Sequence, residues 1–96
     1  MGKAENHVEQ YLRDRISDLD GICFKFSSGV NGVPDRIVLI NERTVFVELK
    51  AKNGRLSSLQ KVQIDRTRAR GADVRVMHTR ELVDEFIAGV RASLVS

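Results

Sequence analysis

Apolar residues recur along this chain with two different periods, and the switches between them mark out its elements. Val8, Leu12, Ile16 and Leu19 fall at helical spacing, so residues 4–19 are expected to form a helix with one buried stripe. Asp20-Gly21 supplies its stop, with the glycine on the C-terminal side. Residues 22–27 read as a short strand in which Phe24 and Phe26 alternate with Lys25, giving one apolar and one basic face. A loop with two glycines and the chain's single proline covers 28–34. Residues 36–40 and 44–50 are two further strands around a turn at 41–43. A basic, glycine-containing connection over 51–56 leads to a second helix opened by Ser57. Gln60 follows it at capping-box spacing, so each side chain is placed to satisfy an orphan amide at the helix start. Leu59, Val62 and Ile64 supply that helix's apolar contacts, and Gly71 stops it. Residues 73–77 form a fourth strand, and Thr79 caps a third helix carrying Leu82, Val83, Phe86, Ile87 and Val90.

The order αβββαβα predicts an α/β fold with a mixed central sheet flanked by helices, as a single domain over 1–96. The strands joined by short turns should be antiparallel. The strand–helix–strand unit over 44–77 should be a right-handed parallel crossover. There is no internal repeat, low-complexity segment or linker.

Composition narrows the class only slightly. Of the 96 residues, 42% are hydrophobic and 30% charged, which is ordinary for a soluble globular protein. No apolar run approaches the roughly 18 residues of a membrane span, and the N-terminus does not read as a secretory signal. Cys23 is alone between apolar neighbours, which excludes a disulfide framework and points to a structural thiol. An intracellular protein is expected. The net charge of +3 is weak evidence for a nucleic-acid partner, but its distribution says more. Lys50, Lys52, Arg55 and Lys61 cluster after the third strand, and Arg66, Arg68 and Arg70 follow on the second helix. Such a stripe suits a phosphate backbone, and it equally suits a solvated helix face.

The chemistry concentrates in Pro34-Asp35 and in Glu48-Leu49-Lys50. On a strand, side chains two apart share a face, so Glu48 and Lys50 project together, with Phe46 before them. Should the two central strands pair as a hairpin, Asp35 meets Glu48 near one end of it. Alone, Asp35 reads as a turn carboxylate. Glu48 lies within an apolar strand, where an unpaired charge is costly, and an ion pair with Lys50 is the plain explanation. Converging carboxylates suit Mg²⁺, which takes hard oxygen ligands. A third acid comes from the first helix, where Glu5 falls inside the apolar stripe and Glu9 at its edge. Glu5 is preferred. Gln60 stands on the first turn of the second helix, where a site role and the capping box compete for one amide. His7 and His78 lack zinc-ligand spacing, and the glycines form no phosphate-cradling motif. Aromatic residues, at 5%, build no platform for stacking bases.

Gly32-Val33-Pro34-Asp35, then Val47-Glu48-Leu49-Lys50, then Leu56-Ser57-Ser58-Leu59-Gln60 resemble the VRR-NUC (virus-type replication–repair nuclease) domain of the PD-(D/E)XK nuclease superfamily. The helix starting near Glu5, Gly71 and Val74-Arg75-Val76 extend the resemblance to nearly the whole chain. It implies a restriction-endonuclease-like fold and Mg²⁺- or Mn²⁺-dependent cleavage of phosphodiester bonds in DNA. Asp35 and Glu48 would be metal ligands, with Glu5 matching the family's helix acid. Lys50 would position or activate water and offset phosphate charge, and Gln60 would act in the site. Stand-alone versions occur in phages and prophages, and short ones look like homodimers acting on branched or Holliday-junction-like DNA. Lys52, Arg55, Lys61, Arg66 and Arg70 are the expected DNA contacts. The alternatives are a junction-binding module that cuts weakly or needs a partner, and a structural domain with an ordinary Glu48–Lys50 ion pair.

Overall fold

The structure, a computed structural model, describes the backbone of residues 3–95 and the side chains of residues 7–93. Helix α1 (Lys3–Asp18) is followed by strands β1 (Ile22–Lys25), β2 (Arg36–Ile40) and β3 (Arg43–Leu49). Helix α2 (Ser58–Ala69), strand β4 (Asp73–Met77) and helix α3 (Arg80–Val95) complete the order. The sheet runs β1-β2-β3-β4, antiparallel across the first two pairs and parallel between β3 and β4. The mixed α/β architecture read from the periodicity is therefore the one observed. Among the described residues, no helix is long and apolar enough to cross a membrane.

Alternation divides β3 between the two faces of the sheet. Val45, Val47 and Leu49 join Val38 and Ile40 of β2 in the main core. Val8, Leu12 and Ile16 of α1 and Val83, Phe86, Ile87 and Val90 of α3 close that core from above. Leu12 and Ile16 are wholly buried, and each such side chain contributes about 1.5–3 kcal/mol. The opposite face carries Phe46 and Glu48. Here α2 covers only part of the sheet, resting Ile64 over the β4 side near Val74. Leu59 and Val62 were expected to pack, but they are 45% and 51% exposed. The reason is that one short helix lies over one edge of this face and turns its other flank to solvent.

Local geometry explains the turns. The β2–β3 hairpin closes through Asn41 and Glu42 alone, with φ of 47° and 61°. Positive φ at both central residues is the two-residue geometry whose twist matches paired strands. Arg43 thus belongs to β3 rather than to the turn. At the end of α1 it is Asp20, at φ 59°, that takes the left-handed conformation expected of Gly21. Gly21 serves another purpose, because an added Cβ would lie 2.7 Å from Ile16 Cγ2 and 2.9 Å from the Leu39 carbonyl oxygen. Ser57 caps α2 by accepting from the Gln60 amide, and the Ser57 amide donates to Gln60 Oε1 at 2.9 Å. Thr79 Oγ1 accepts from the Leu82 amide at 3.2 Å, as a cap of α3 should.

Candidate active site

Register brings the two acids together. Arg36 pairs with Val47, so the next position along sets Asp35 level with Glu48 across the β2–β3 ladder. The central position of β3 leaves Glu48 only 6% exposed. A carboxylate there requires partners, because burying an unpaired charge costs several kcal/mol or neutralises it. Gln60 supplies one of them, with its Nε2 donating to Glu48 Oε2 at 3.4 Å. The anticipated competition for that amide does not arise. Oε1 serves the cap and Nε2 faces Glu48, so one side chain does both.

Asp35 is held from several directions. Its carbonyl accepts from the Phe26 amide at 2.8 Å, which ties the loop's end to the strand beside it. Arg36 Nη1 donates to the same carbonyl at 3.0 Å and lies 3.1 Å from Asp35 Oδ2. The other oxygen, Oδ1, is buried with no hydrogen-bond partner among the described residues. Upstream, Gly32 adopts φ 87° and its Cα approaches the start of α2 so closely that a Cβ would meet the Leu59 carbonyl oxygen at 2.9 Å. The glycine loop is thereby set against the helix that carries Gln60.

Lys50 follows the last residue of β3. Its amide donates to the Met77 carbonyl at 3.1 Å, extending the ladder by one bond. Alternation continued to this position assigns Lys50 to the Glu48 face of the sheet. Glu5 lies in α1, but its side chain is outside the described residues. The helix acid seen to reach the sheet is Glu9, whose Oε2 accepts from Arg36 Nη2 at 2.6 Å and whose Oε1 lies 3.8 Å from Arg13.

Arg36 escaped the sequence reading. It is only 2% exposed, and it bridges Glu9 and Asp35. Burial alone would lower its guanidinium, but the hydrogen bond to Glu9 and the charges of Asp35 and Glu9 outweigh this and hold it above its ordinary value. A signal was present, because alternation puts Arg36 on the core side with Val38 and Ile40. An arginine in that pattern must find carboxylates.

The basic residues divide. Lys52, Arg55, Lys61, Arg66 and Arg70 are exposed. Arg66, in the last turn of α2, and Arg70, its C-cap, line a cleft with Val30 and Val33 of the glycine loop. Arg68 leaves the stripe, because its Nη2 and Nε donate to the Val74 carbonyl at 2.6 and 3.2 Å and brace α2 on β4. Cys23 is half-buried on β1, and burial pushes its thiol up, as suits an inert side chain. Among the described residues, no three His, Cys, Asp or Glu side chains converge. The described acids that the register sets level at this end of the sheet are Asp35 and Glu48.

Comparison with known proteins places the chain in a family. The family model of the VRR-NUC domain matches residues 3–81. "Putative nuclease p44" of Acyrthosiphon pisum secondary endosymbiont phage 1 is 35% identical over 80 residues, covering 81% of this chain and 86% of its own. A solved structure described as a VRR_NUC domain superposes with a TM-score of 0.81 at 33% identity, covering 91% of this chain and 97% of the other. The matched span takes in the glycine loop, the β2–β3 hairpin and the capped helix α2. The family model spans most of the chain and the solved structure shares its fold from end to end, and the chain belongs to the VRR-NUC domain family.

Proposed function

We propose that this VRR-NUC nuclease domain is a Mg²⁺- or Mn²⁺-dependent DNA endonuclease, acting as a homodimer on branched or Holliday-junction-like DNA. The observation that carries the reading is the placement of Glu48, buried on the central strand, level with Asp35, whose buried Oδ1 has no hydrogen-bond partner among the described residues. An acceptor oxygen that is desolvated and unsatisfied is a poor feature of a purely structural site. It is well suited to a hard divalent cation, for which one or two carboxylates plus substrate oxygens form a usual ligand set. Asp35 and Glu48 are the residues that would hold it, with Glu5 as the candidate third acid from α1. When bound, such an ion polarises the scissile phosphate and lowers the pKa of a coordinated water.

The chain's own groups have separate tasks. Gln60 steadies Glu48 through Nε2 and is itself immobilised by the capping box. Lys50 offers positive charge as negative charge develops on the phosphate, where fixed charge contributes most to rate. Lys52, Arg55, Lys61, Arg66 and Arg70 track the DNA backbone from the exposed side of α2 and the preceding turn. Ile22, Phe24 and Leu39 support the homodimer. They are 50%, 52% and 36% exposed on the open part of the sheet, and Ile22 pairs directly with Leu39. Two copies would place two sites on two strands of a junction.

The test is cleavage of labelled four-way junction, fork, single-strand and duplex DNA with Mg²⁺, Mn²⁺ or EDTA, beside Glu48→Gln. Metal-dependent cutting that disappears in Glu48→Gln, with binding kept, is the expected result. Residual cutting within about tenfold of the parent would remove Glu48 from the ligand set, since loss of a group acting on the reacting centre costs about a hundredfold or more. Tight binding without cutting under any metal would make the domain a junction-binding module.

A further inference from the structure

We infer that Arg36 is a positioning residue for Asp35, and that Glu9 is the anchor of Arg36 rather than a ligand of the metal. The inference rests on the metal-dependent nuclease reading and assigns two side chains which that reading leaves without a role.

Arg36 holds Asp35 twice. Its Nη1 donates to the Asp35 carbonyl at 3.0 Å and lies 3.1 Å from Oδ2. A side chain tied to its own backbone carbonyl through a shared donor has little freedom about χ1. With Oδ2 taken by the guanidinium, Asp35 has one oxygen left to present, the buried Oδ1, which has no partner among the described residues. The clamp therefore selects which oxygen meets an incoming cation.

The clamp needs a counterweight. A guanidinium paired with Asp35 alone would compete with a divalent cation for the same carboxylate. Glu9 prevents this by taking the far side of the fork, accepting from Nη2 at 2.6 Å. The Glu9–Arg36 pair is neutral as a unit, so Arg36 orients Asp35 without cancelling its charge. For Glu9 to turn Oε2 to a metal, it would have to give up a charge-assisted bond to a guanidinium that is 2% exposed, and Oε1 lies 3.8 Å from Arg13 on the other side. That loss would strand a buried cation, the costly half of breaking any buried pair. Arg36 Nε is also buried without a partner among the described residues, so the group is a poor stabilising device on its own account.

The experiment compares four proteins with the parent: Glu48→Gln, Glu9→Gln, Arg36→Lys and the double variant Glu9→Gln/Arg36→Met. Three quantities are measured. They are Mn²⁺ affinity by calorimetry, thermal melting in EDTA, and kcat and KM on junction DNA at saturating Mn²⁺. The double variant keeps the local net charge and replaces a buried pair by neutral side chains of similar size, a change that is often close to neutral for stability. It should melt near the parent, yet bind Mn²⁺ about tenfold more weakly and lose about a hundredfold in kcat, with KM little changed. Glu9→Gln retains an acceptor for Nη2 and should lose far less Mn²⁺ affinity than Glu48→Gln. Arg36→Lys keeps the charge but not the fork, and should show the same Mn²⁺ and kcat losses as the double variant.

A folded double variant with the parent's affinity and kcat would reduce Arg36 to a core ion pair. If the double variant does not fold, Arg36→Lys decides alone, and parental affinity and kcat there would overturn the clamp. Glu9→Gln losing as much Mn²⁺ affinity as Glu48→Gln would make Glu9 a ligand. A parent that binds no Mn²⁺ would instead strike at the nuclease reading, and the assignment would fall with it.

Discussion

Replacing Gln60 separates its two tasks. Gln60→Ala removes the acceptor for the Ser57 amide, at 2.9 Å, and the donor to Glu48, at 3.4 Å. Loss of one side of a capping box costs about 1 kcal/mol, and the long contact to Glu48 adds little. For a domain of this size, that is a fall of about 4–8 °C in Tm. Gln60→Glu is different. Glutamate fits the capping box as well as glutamine, so the helix start is preserved. The cost arises at the other atom, where a second carboxylate replaces a donor beside buried Glu48. At the observed 3.4 Å, two like charges repel by about 1 kcal/mol in a water-like dielectric and about 5 kcal/mol at an effective dielectric near 20. Side-chain rotation and protonation will relieve part of this.

The sign with pH follows from that repulsion. A carboxyl raised in the folded state destabilises at high pH, and the penalty disappears as the pH falls and the pair takes up a proton. Gln60→Glu should therefore melt well below the parent at neutral pH in EDTA and recover toward it on acidification. Mg²⁺ should also stabilise it more than it stabilises the parent, since a divalent ion neutralises the added charge. Gln60→Ala should show neither dependence. Thermal melts of the three proteins across pH, with EDTA or Mg²⁺, measure all of this. If Gln60→Glu and Gln60→Ala melt together under every condition, the amide does not face Glu48 in solution and the reasoning fails.

Three further perturbations address other parts of the molecule. Gly32→Ala forces a side chain into φ 87° and against the Leu59 carbonyl oxygen at 2.9 Å. It should cost about 1–3 kcal/mol and lower cleavage by displacing Pro34-Asp35, and a chemical denaturation midpoint equal to the parent's would contradict the contact. Arg66→Ala/Arg70→Ala should weaken binding to all DNA sequences alike and reduce the slope of log affinity against log salt by about 1–2. An unchanged slope would place the DNA elsewhere. Phe24→Glu, on the open face of the sheet, should leave the monomer folded and shift sedimentation toward the monomeric species, whereas an unaltered oligomer would move the association surface away from β1.

Much of the fold was legible because the relevant signals are local. The bounds of β2 and β4 follow from short apolar runs between turn residues, and the caps at Ser57 and Thr79 from residue type and spacing. The meeting of Asp35 with Glu48 was legible for a further reason. A two-residue hairpin converts sequence separation directly into register. What escaped depends on tertiary partners. Helical spacing around Ile64 cannot show that Leu59 and Val62 lie on the flank that faces solvent. Nor does a helix wheel show which acid of α1 finds a cation, since Glu9 and Arg36 are far apart in sequence and meet only when α1 settles on the sheet. Gln60 was legible as a cap and as a candidate for the site, but its two ends were not. The packing of α2 beside β3 decides that the oxygen and the nitrogen of one amide face different partners.

The Asn41-Glu42 turn lies at the opposite end of the hairpin from the acids, yet it governs their alignment. Two residues is the shortest closure such a hairpin normally uses. An inserted residue can bulge outward and leave every rung of the ladder in place. A deleted residue leaves no two-residue closure: either the Ile40–Arg43 rung opens into a three-residue loop, or one strand slides by a position, and a slide of one exchanges its two faces. Glu48 would then be driven toward the helices and Val47 toward the DNA side. Shortening this distant surface turn is thus costlier than lengthening it. Library variants that lengthen it should cut DNA, and those that shorten it should be depleted by any selection for activity.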